Sequence, residues 1–375
     1  MKGSAAVLTG VLVLTLLRAT AFAPAPRTGE WSVAASLDRP RAYATALALP
    51  TGKIAVFGGF DQDDPNVTNP TTELIDPATA LVTRLADRVP GRLHQTAMMT
   101  PSGRVVVAGG VLWAGKGFGS TDRVDVFLPY PGRWIPGQRM VQARSDHGAT
   151  ILADGRVLAT GGNFNERPLA STEIYDPVLD EWRLAAPLRE PRIRFSIAPL
   201  PDGRVIVAGG LDGKGLPTKT TEIYDPRADR WTKGADLSVA RVDHATVVLP
   251  DGDVLFIGGQ YGASGTAERY DHRTGELAYA GTLMSPRLAE QAVLLPDGRV
   301  LVVGGSIEKP GRQYYLPFND AEVWDPRTNA WSAFPAPSMP RAMGKLVATP
   351  FGVYLISGIG TERAPQRTIE KLTYK

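Results

Sequence analysis

Residues 287–305 read RLAEQAVLLPDGRVLVVGG, and this stretch decides the fold because the rest of the chain repeats its plan. It begins with an arginine, passes through a Pro-Asp-Gly turn and an apolar run, and ends on a glycine pair. The turn residues favour a tight hairpin, and a continuous apolar run is typical of a strand that is buried on both faces. The stretch therefore predicts two antiparallel strands.

The glycine pair and its arginine recur along the chain. The pairs are Gly58-Gly59, Gly109-Gly110, Gly161-Gly162, Gly209-Gly210, Gly258-Gly259, Gly304-Gly305 and the degenerate Ser357-Gly358. The arginines, 17 residues before the pair in six copies and 16 in the last, are Arg41, Arg92, Arg144, Arg192, Arg241, Arg287 and Arg341. Seven copies of one unit account for most of the 375 residues.

A looser second half follows each glycine pair. Its opening acidic residues are Glu73, Asp125, Glu173, Glu222, Glu268, Glu322 and Glu370. Nine residues later, four copies carry a tryptophan: Trp134, Trp182, Trp231 and Trp331. A period of about fifty residues indicates blades of four strands. We therefore predict an all-β fold, a seven-bladed β-propeller.

The two ends of the sequence complement each other. Trp31 stands ten residues before Arg41, which is the offset of Trp182 before Arg192, although no repeat precedes it. After Glu370 only five residues remain. The N-terminal segment is thus predicted to supply the outer strand of the last blade, which would remove free sheet edges.

The repeat resembles the Kelch family. The resemblance rests on the glycine pairs, the spaced tryptophans and the segments Tyr175-Asp176-Pro177, Tyr224-Asp225-Pro226 and Trp324-Asp325-Pro326, and it covers roughly residues 27–375. The copies look like those of bacterial, exported Kelch proteins, and are distantly similar to the propeller domain of galactose oxidase. This resemblance implies a Kelch-type propeller.

The repeated arginine and acid suggest an ion pair within each blade. We expect the arginine of the first strand to reach over the glycine pair toward the acid of the third strand, as Arg144 toward Glu173. Removing one partner of such a buried pair costs about 3–5 kcal/mol. The repeated arginines are therefore interpreted as structural.

The N-terminus reads as an export signal. Lys2 precedes an apolar run from Ala5 to Leu17 and a small-residue site at Ala19-Thr20-Ala21. We predict a signal peptide over residues 1–21, a linker over 22–30, the propeller over 31–375, and a secreted or periplasmic protein. An uncleaved membrane anchor is the alternative, because Arg18 directly follows the apolar run; the mature chain is expected to have no membrane span.

Composition excludes several functions. The chain has no cysteine, so disulfides, thiolate metal sites and a cysteine nucleophile are excluded. The formal net charge is +3, with basic and acidic residues interspersed, whereas nucleic-acid binding requires a concentrated basic surface. We therefore expect no nucleic-acid partner. The protein is also predicted to be a monomer.

Residues that differ between copies are the candidates for a ligand site. Two residues after each arginine stand Tyr43, His94, Asp146, Arg194, Asp243, Ala289 and Met343. Three residues after it stand Ala44, Gln95, His147, Phe195, His244, Glu290 and Gly344. Strand alternation sends one set toward the axis and the other into the packing.

Eight of these residues form the predicted ligand site at the mouth of the channel: Arg194, Glu290, His147, His244, Asp146, Asp243, His94 and Tyr43. Arg194 and Glu290 are the leading candidates, because the repeat explains them least. The alternative for His147 and His244 is a structural role, each hydrogen-bonded within its own blade. The two longest connections between a glycine pair and the next acid are expected to emerge on the same face of the propeller as the arginines. They carry the aromatic residues Trp113, Phe118, Tyr314 and Tyr315, which are further candidates for binding.

Three functions remain open. The first is an extracytoplasmic binding or interaction protein whose partner is a protein or a small polar molecule such as a sugar. The second is a carbohydrate-active enzyme that uses the same mouth, and the third is a scaffold in an envelope assembly. Similarity to galactose oxidase implies copper, but that family's cross-linked cysteine is missing, which leaves only Tyr43, His147 and His244 as ligands. A sugar mutarotase would need only a general acid and base such as Glu290 and a histidine. That enzyme resembles a propeller of six blades, whereas this sequence has seven copies of the repeat. No cofactor or metal is predicted.

Overall fold

The computed structural model describes residues 29–60, 68–86, 89, 91–113, 117–259, 265–288, 290–308, 315–361 and 364–374. In these ranges the chain forms strands and turns and no helix, hence no helix that could cross a membrane. The predicted signal peptide and most of the predicted linker lie outside the described residues, as do Ala289 and Tyr314.

Seven four-stranded antiparallel sheets follow one another along the chain. The first strand, β1 (Gly29–Arg41), belongs to the last blade. Blade 1 contains β2 (Thr45–Ala48), β3 (Ile54–Phe57), β4 (Thr72–Ile75) and β5 (Val82–Arg84). Blade 2 contains β6 (Thr96–Met99), β7 (Val105–Ala108), the hairpin β8 (Val111–Trp113) and β9 (Phe118–Ser120), then β10 (Val124–Leu128) and β11 (Arg133–Pro136). Blade 3 contains β12 (Gly148–Ile151), β13 (Val157–Thr160), the hairpin β14 (Asn163–Phe164) and β15 (Arg167–Pro168), then β16 (Thr172–Asp176) and β17 (Glu181–Ala185).

The remaining blades repeat the plan. Blade 4 contains β18 (Ser196–Pro199), β19 (Val205–Ala208), β20 (Thr221–Asp225) and β21 (Arg230–Lys233). Blade 5 contains β22 (Ala245–Val248), β23 (Val254–Ile257), β24 (Thr266–Tyr270) and β25 (Leu277–Thr282). Blade 6 contains β26 (Gln291–Leu294), β27 (Val300–Val303), the hairpin β28 (Ser306–Glu308) and β29 (Tyr315–Pro317), then β30 (Ala321–Asp325) and β31 (Ala330–Phe334). Blade 7 contains β32 (Lys345–Thr349), β33 (Gly352–Ile356) and β34 (Gln366–Tyr374).

The apolar second strands explain where the core lies. Every residue of β3, β7, β13, β19, β23 and β27 is buried, because these strands have a neighbouring blade on each face. Seven apolar clusters fill the spaces between successive blades. Strands that lie inside a stack of sheets bury both faces, so they read as continuous apolar runs.

The N-terminal strand closes the ring, as predicted. Strand β1 pairs with β34, with Trp31 opposite Leu372, and completes the sheet β1-β34-β33-β32. Trp31 also makes the contact of a repeat tryptophan, since its Nε1 donates to the carbonyl oxygen of Pro335 in blade 6 at 2.9 Å. Trp331 of blade 6 donates likewise to Ala280 of blade 5 at 2.9 Å. Strand β2, the innermost strand of blade 1, packs beside β32, the innermost strand of blade 7.

The chain direction assigns the two ends of the channel. Each innermost strand begins near its repeat arginine, and the residue after that arginine pairs with the residue after the glycine pair, as Ser145 does with Asn163. The connections after the glycine pairs therefore emerge beside the arginines, as expected. We call this end the mouth and the opposite end, with the turns between first and second strands, the far end.

Candidate functional site at the channel mouth

A buried ion pair stabilises each blade beneath the mouth. In blade 3, Arg144 donates to the carbonyl oxygen of Gly161 at 2.6 Å and to Glu173 Oε1 at 2.7 Å. Glu173 also accepts the N–H groups of Val141 and Gln142, at 2.6 and 2.9 Å, from the connection that leaves blade 2. The seven pairs are Arg41–Glu73, Arg92–Asp125, Arg144–Glu173, Arg192–Glu222, Arg241–Glu268, Arg287–Glu322 and Arg341–Glu370. The predicted pairing is confirmed in every blade.

The glycine pair makes room for neighbouring side chains. Gly109 and Gly110 have φ angles of 64° and 96°, which favour glycine. A Cβ on Gly109 would lie 2.8 Å from Cε1 of His147 in the next blade, and one on Gly110 would lie 3.0 Å from Cβ of Gln95 in its own blade. The pair therefore allows the third residues after two successive arginines to pack against its main chain.

The second residues after the arginines form a ring around the mouth, which we call the mouth ring. Its described members all have left-handed backbone: Tyr43, His94, Asp146, Arg194, Asp243 and Met343, with φ between 50° and 57°. The N–H of Asp146 donates to His94 O at 3.2 Å, that of Arg194 to Asp146 O at 3.3 Å, and that of Asp243 to Arg194 O at 3.2 Å. Because the whole set shares this conformation, it belongs to the architecture; only the side chains differ.

Two contacts between adjacent blades lie in the mouth ring, a histidine–carboxylate contact and an arginine–carboxylate ion pair. His94 Nδ1 lies 2.7 Å from Asp146 Oδ1, with the two side chains 35% and 21% exposed. The Arg194 Nε donates to Asp243 Oδ1 at 2.9 Å, with 30% and 23% exposed. The ring of Tyr43 lies 5.1 Å from that of His94. These groups are fixed in position but open to solvent, so a ligand can contact them.

The surroundings of Asp146 favour its charged form. Burial opposes ionisation, but the hydrogen bond from His94 and the charges of His94 and Arg194 outweigh it, and the pKa of the Asp146 carboxyl is lowered. The mouth ring therefore offers a carboxylate at neutral pH, next to an imidazole that is within hydrogen-bonding distance.

The two histidines among the third residues lie between blades. His147 Nε2 is 2.8 Å from Thr96 Oγ1, and His244 Nε2 is 2.8 Å from Ser196 Oγ. Burial, followed by the charge of the nearby repeat arginine, lowers the pKa of both histidines to about 3. The expectation of a hydrogen bond within the same blade was wrong, because both partners belong to the preceding blade.

Glu290 is the acidic residue among the third residues after the repeat arginines. It is 3% exposed, and its Oε1 lies 3.4 Å from the main-chain nitrogen of Ala245. Its Oε2 has no hydrogen-bond partner among the residues that the structure describes. Burial raises the pKa of Glu290 to about 8, so the carboxyl is mainly protonated at neutral pH.

The structure thus divides the predicted site. It brings Tyr43, His94, Asp146, Arg194 and Asp243 together in the mouth ring. His147, His244 and Glu290 lie between blades beneath the ring, where they pack against glycines of the preceding blade. Whether these eight residues bind a ligand remains a prediction.

The residues that would be needed for copper do not fit such a site. His147 and His244 use their Nε2 atoms in two different blade interfaces, 2/3 and 4/5, and Tyr43 lies in the mouth ring of blade 1. Together with the absence of cysteine, this arrangement does not bring a copper ligand set together.

The fourth residue after each arginine was not among the predicted site residues. The fourth residues are Thr45, Thr96, Gly148, Ser196, Ala245, Gln291 and Lys345. In Thr45 and Thr96 the hydroxyl contacts the third residue of the next blade, Gln95 or His147. Lys345 differs from all other copies in charge, and one further aligned position would have revealed it.

The connections around the mouth carry the predicted aromatic residues. Phe118 is 46% exposed and lies opposite Trp113 in the hairpin of β8 and β9. This hairpin contacts the next blade, where Ser120 Oγ donates to the carbonyl oxygen of Asn163 at 3.1 Å. Tyr315 lies in β29 of the blade 6 hairpin. The loops of blades 2 and 3 therefore form one continuous surface beside the mouth ring.

The far end is different in character. A cavity of about 240 Å³ lies there between blades 3, 4 and 5, lined by Leu152, Pro199, Pro201, Val248 and neighbouring apolar residues. Among the described residues, the group that could hold a metal ion is Asp253, Asp271 and His272. Arg269 already pairs with Asp253 at 2.7 Å, so this group is an internally neutralised network.

The fold and the repeat are those of a seven-bladed β-propeller of the Kelch type. The Kelch motif family matches residues 143–189, 199–238 and 287–338. The matches fall on blades 3, 4 and 6, while the same arginine, glycine and acid contacts occur in the other blades as well.

Particular relatives share parts of the chain. Human Kelch-like protein 26 is 31% identical over 169 residues, which are 44% of this chain and 27% of that protein. Galactose oxidase of Gibberella zeae is 25% identical over 187 residues, 46% of this chain and 25% of that protein. The chain spans about a quarter of the length of these curated relatives. A copper-bound fungal alcohol oxidase structure has a TM-score of 0.75 at 18% identity, covering 92% of this chain and 76% of that one; this likeness concerns the fold.

Proposed function

We propose that this chain is an exported Kelch-repeat binding protein that holds a ligand at the channel mouth. The observation that carries the proposal is the mouth ring: six described side chains of five chemical types on one repeated backbone conformation, with a partly exposed histidine–carboxylate contact and a partly exposed arginine–carboxylate ion pair. Residues that serve the blade are the same in all copies, such as the arginines. Residues that differ are free to contact a ligand.

The chemistry of the mouth ring favours a polar ligand. Asp146 and Asp243 offer acceptors, and Arg194 offers several donors in a planar arrangement. The neighbouring loops add exposed apolar surface at Phe118. Rigid scaffolds with variable loops at one end commonly bind through those loops. This combination suits a sugar or the polar segment of a partner protein, in a monomer.

Export is supported by the sequence of the leader alone. Residues 1–21 have the order of a signal peptide, with Lys2, an apolar run and a small-residue site. We therefore place the mature protein in the periplasm or outside the cell. N-terminal sequencing of the mature protein and fractionation of the cells test this placement; a full-length chain in the membrane fraction would contradict it.

A thermal-shift screen tests the binding function. The purified chain is heated with neutral sugars, sugar acids, oligosaccharides and Ca²⁺. A ligand at 100 times its Kd stabilises the folded state by about 2.7 kcal/mol. The Arg194→Ala variant should lose the shift, whereas Arg227→Ala, an exposed arginine at the far end of the same blade, should retain it. A shift that survives in Arg194→Ala would place the ligand elsewhere.

A carbohydrate-active enzyme is the second candidate. The observation that favours it is the 2.7 Å contact between His94 Nδ1 and Asp146 Oδ1 beside Tyr43, because an imidazole oriented by a carboxylate is suited to acid–base catalysis. The test is the rate at which the anomers of a bound reducing sugar interconvert, followed by NMR. Binding without acceleration, or acceleration unchanged in His94→Gln, would reject catalysis at this pair.

A further inference from the structure

The wall of the channel beneath the mouth ring follows a rule of complementary size. At five blade interfaces, the fourth residue of one blade meets the third residue of the next. The five contacts are Thr45–Gln95 at 3.0 Å, Thr96–His147 at 2.8 Å, Ser196–His244 at 2.8 Å, Ala245 N–Glu290 at 3.4 Å, and Gly148 against the ring of Phe195. In each contact a small fourth residue faces a large third residue.

The two interfaces around blade 7 reverse this rule. Here the third residues are small, Gly344 and Ala44, and the fourth residues are long, Gln291 and Lys345. Strand β26 packs beside β32, and β32 beside β2, so Gln291 stands at the position facing Gly344 and Lys345 at the position facing Ala44. The space that a large third residue fills elsewhere is left to the long side chains.

Lys345 has no anionic partner among the residues that the structure describes. Among the described residues it forms no ion pair and no hydrogen bond, and it is half-buried. Burial alone lowers the pKa of its ammonium group. Glu290 does not supply a charge nearby, because its pKa of about 8 keeps it mainly protonated at neutral pH. Gln291 Nε2 donates to the carbonyl oxygen of the preceding residue, Glu290, at 3.0 Å.

The part of the mouth ring above Lys345 is also unlike the rest. The polar members of the ring in blades 2 to 5 contact one another, His94 with Asp146 and Arg194 with Asp243. The described members in blades 7 and 1 are Met343 and Tyr43, which carry no charge. A partly buried lysine is costly unless an anion accompanies it, and neither Met343 nor Tyr43 provides one.

We propose that Lys345 binds the carboxylate of a small hydroxylated acid, of the sugar-acid class, that enters the channel through the mouth between blades 6 and 1. The proposal rests on the binding function proposed above and names the chemical class of its ligand. The carboxylate pairs with the Lys345 ammonium group, and the ligand's hydroxyl groups lie toward the polar mouth ring. A neutral sugar of the same shape leaves Lys345 without its counter-ion and binds more weakly.

Calorimetric titration of the full chain with D-glucuronate and with D-glucose, its neutral counterpart, tests this assignment. The wild type should bind glucuronate at least tenfold more tightly than glucose. Lys345→Met keeps the length and apolar stem of the side chain and should lose this preference, while Lys345→Arg should retain part of it. Lys214→Met removes an exposed lysine on the loop of blade 4 and should behave like the wild type.

Chemical labelling of lysines provides a second readout that does not depend on the calorimetry. Trace acetylation at several pH values measures the pKa of each amine, and glucuronate should raise that of Lys345 and protect it from reagent, leaving Lys214 unchanged. If Lys345→Met binds glucuronate as the wild type does, or if no carboxylate protects Lys345, the assignment is overturned. Neutral sugars that still bind and are lost in Arg194→Ala would in that case leave the mouth site standing.

Discussion

Neutralising Glu173 should destabilise the propeller strongly although the residue lies in no ligand site. In Glu173→Gln the Arg144 guanidinium stays buried, with both side chains of the pair at 0% exposure in the wild type, and loses the carboxylate that balances its charge. Burial already lowers the pKa of Arg144 against the opposing effect of Glu173. Breaking a buried pair on one side costs about 3–5 kcal/mol.

The expected loss can be measured by denaturant unfolding followed by tryptophan fluorescence. Unfolding entropies of about 2.1 cal/mol/K per residue convert a loss of this size in a chain of this length to a fall of roughly 5 °C in the melting temperature. The matched control is Arg84→Ala. Arg84 pairs with Asp38 at 2.8 Å, but the two are 41% and 50% exposed, and exposed pairs contribute about 0–1 kcal/mol.

A double-mutant cycle separates the pair from its surroundings. Arg144→Met and Glu173→Leu should each destabilise, and the double variant should lose at least about 2 kcal/mol less than the sum of the two, because it leaves no unpaired charge. Some loss remains, since the N–H groups of Val141 and Gln142 lose their acceptor. Additive losses, or a Glu173→Gln variant as stable as Arg84→Ala, would refute this account of the pair.

Three further predictions concern closure and titration. Deleting residues 27–38 removes most of the strand that pairs with β34 and should lower the melting temperature by several degrees and promote association through the free edge; an unchanged melting temperature would contradict the closure. His147 and His244 have pKa values of about 3 in the folded chain against an ordinary 6.5, so stability should fall as the pH drops below 6.5, by about 2 kcal/mol for each histidine at pH 5. The double variant His147→Gln/His244→Gln, which copies Gln95 of blade 2, should flatten that slope in urea titrations, and an unchanged slope would assign it to other groups. Glu290 behaves in the opposite sense, because its pKa is raised from 4.5 to about 8: stability falls as the pH rises above 4.5, so Glu290→Gln should gain up to about 3 kcal/mol at pH 7 and nothing at pH 4, and equal effects at both pH values would exclude titration as the cause.

The fold could be predicted from the repeat, because the spacing between its arginine and its glycine pair is preserved even where the residue types between them differ. The offset from the arginine to the first residue of the glycine pair is 17 residues, or 16 in the last copy, and it predicts which strands meet. In every blade the arginine donates to the carbonyl oxygen at that offset. The offset from Trp31 to Arg41 likewise predicted the closing strand, because a side chain that packs on the preceding blade must keep its register within the sheet.

The division of the site was not predictable from spacing. Strand alternation separates the second residues from the third but does not say which set faces the mouth. The left-handed conformation of Asp146 and Arg194 carries no glycine to indicate it, since the conformation is imposed by main-chain hydrogen bonds between blades. Lys345 differs in charge from the fourth residue of every other copy, but the residue it faces follows only from the contact between fourth and third residues, which joins positions about fifty residues apart.

Two compensating changes in blade 5 also could not be predicted from the spacing of the repeat. Asp253 stands where four other copies carry an arginine (Arg104, Arg156, Arg204 and Arg299). Arg269 stands where five other copies carry an apolar residue and the last copy carries Lys371. The two changes meet in one ion pair at 2.7 Å. Each change alone reads as an anomaly of one repeat, and only the folded blade shows that they compensate.

The most direct test of the ligand site at the mouth is calorimetric titration with the compound that stabilises the wild type most in the thermal-shift screen. Three proteins are compared: the wild type, the mouth variant His94→Gln/Arg194→Gln, and the far-end control Arg227→Ala/Arg273→Ala. The account predicts one site per chain, at least tenfold weaker binding in the mouth variant and unchanged binding in the control. Equal affinity in the mouth variant, or no stabilising compound in the screen, would contradict it.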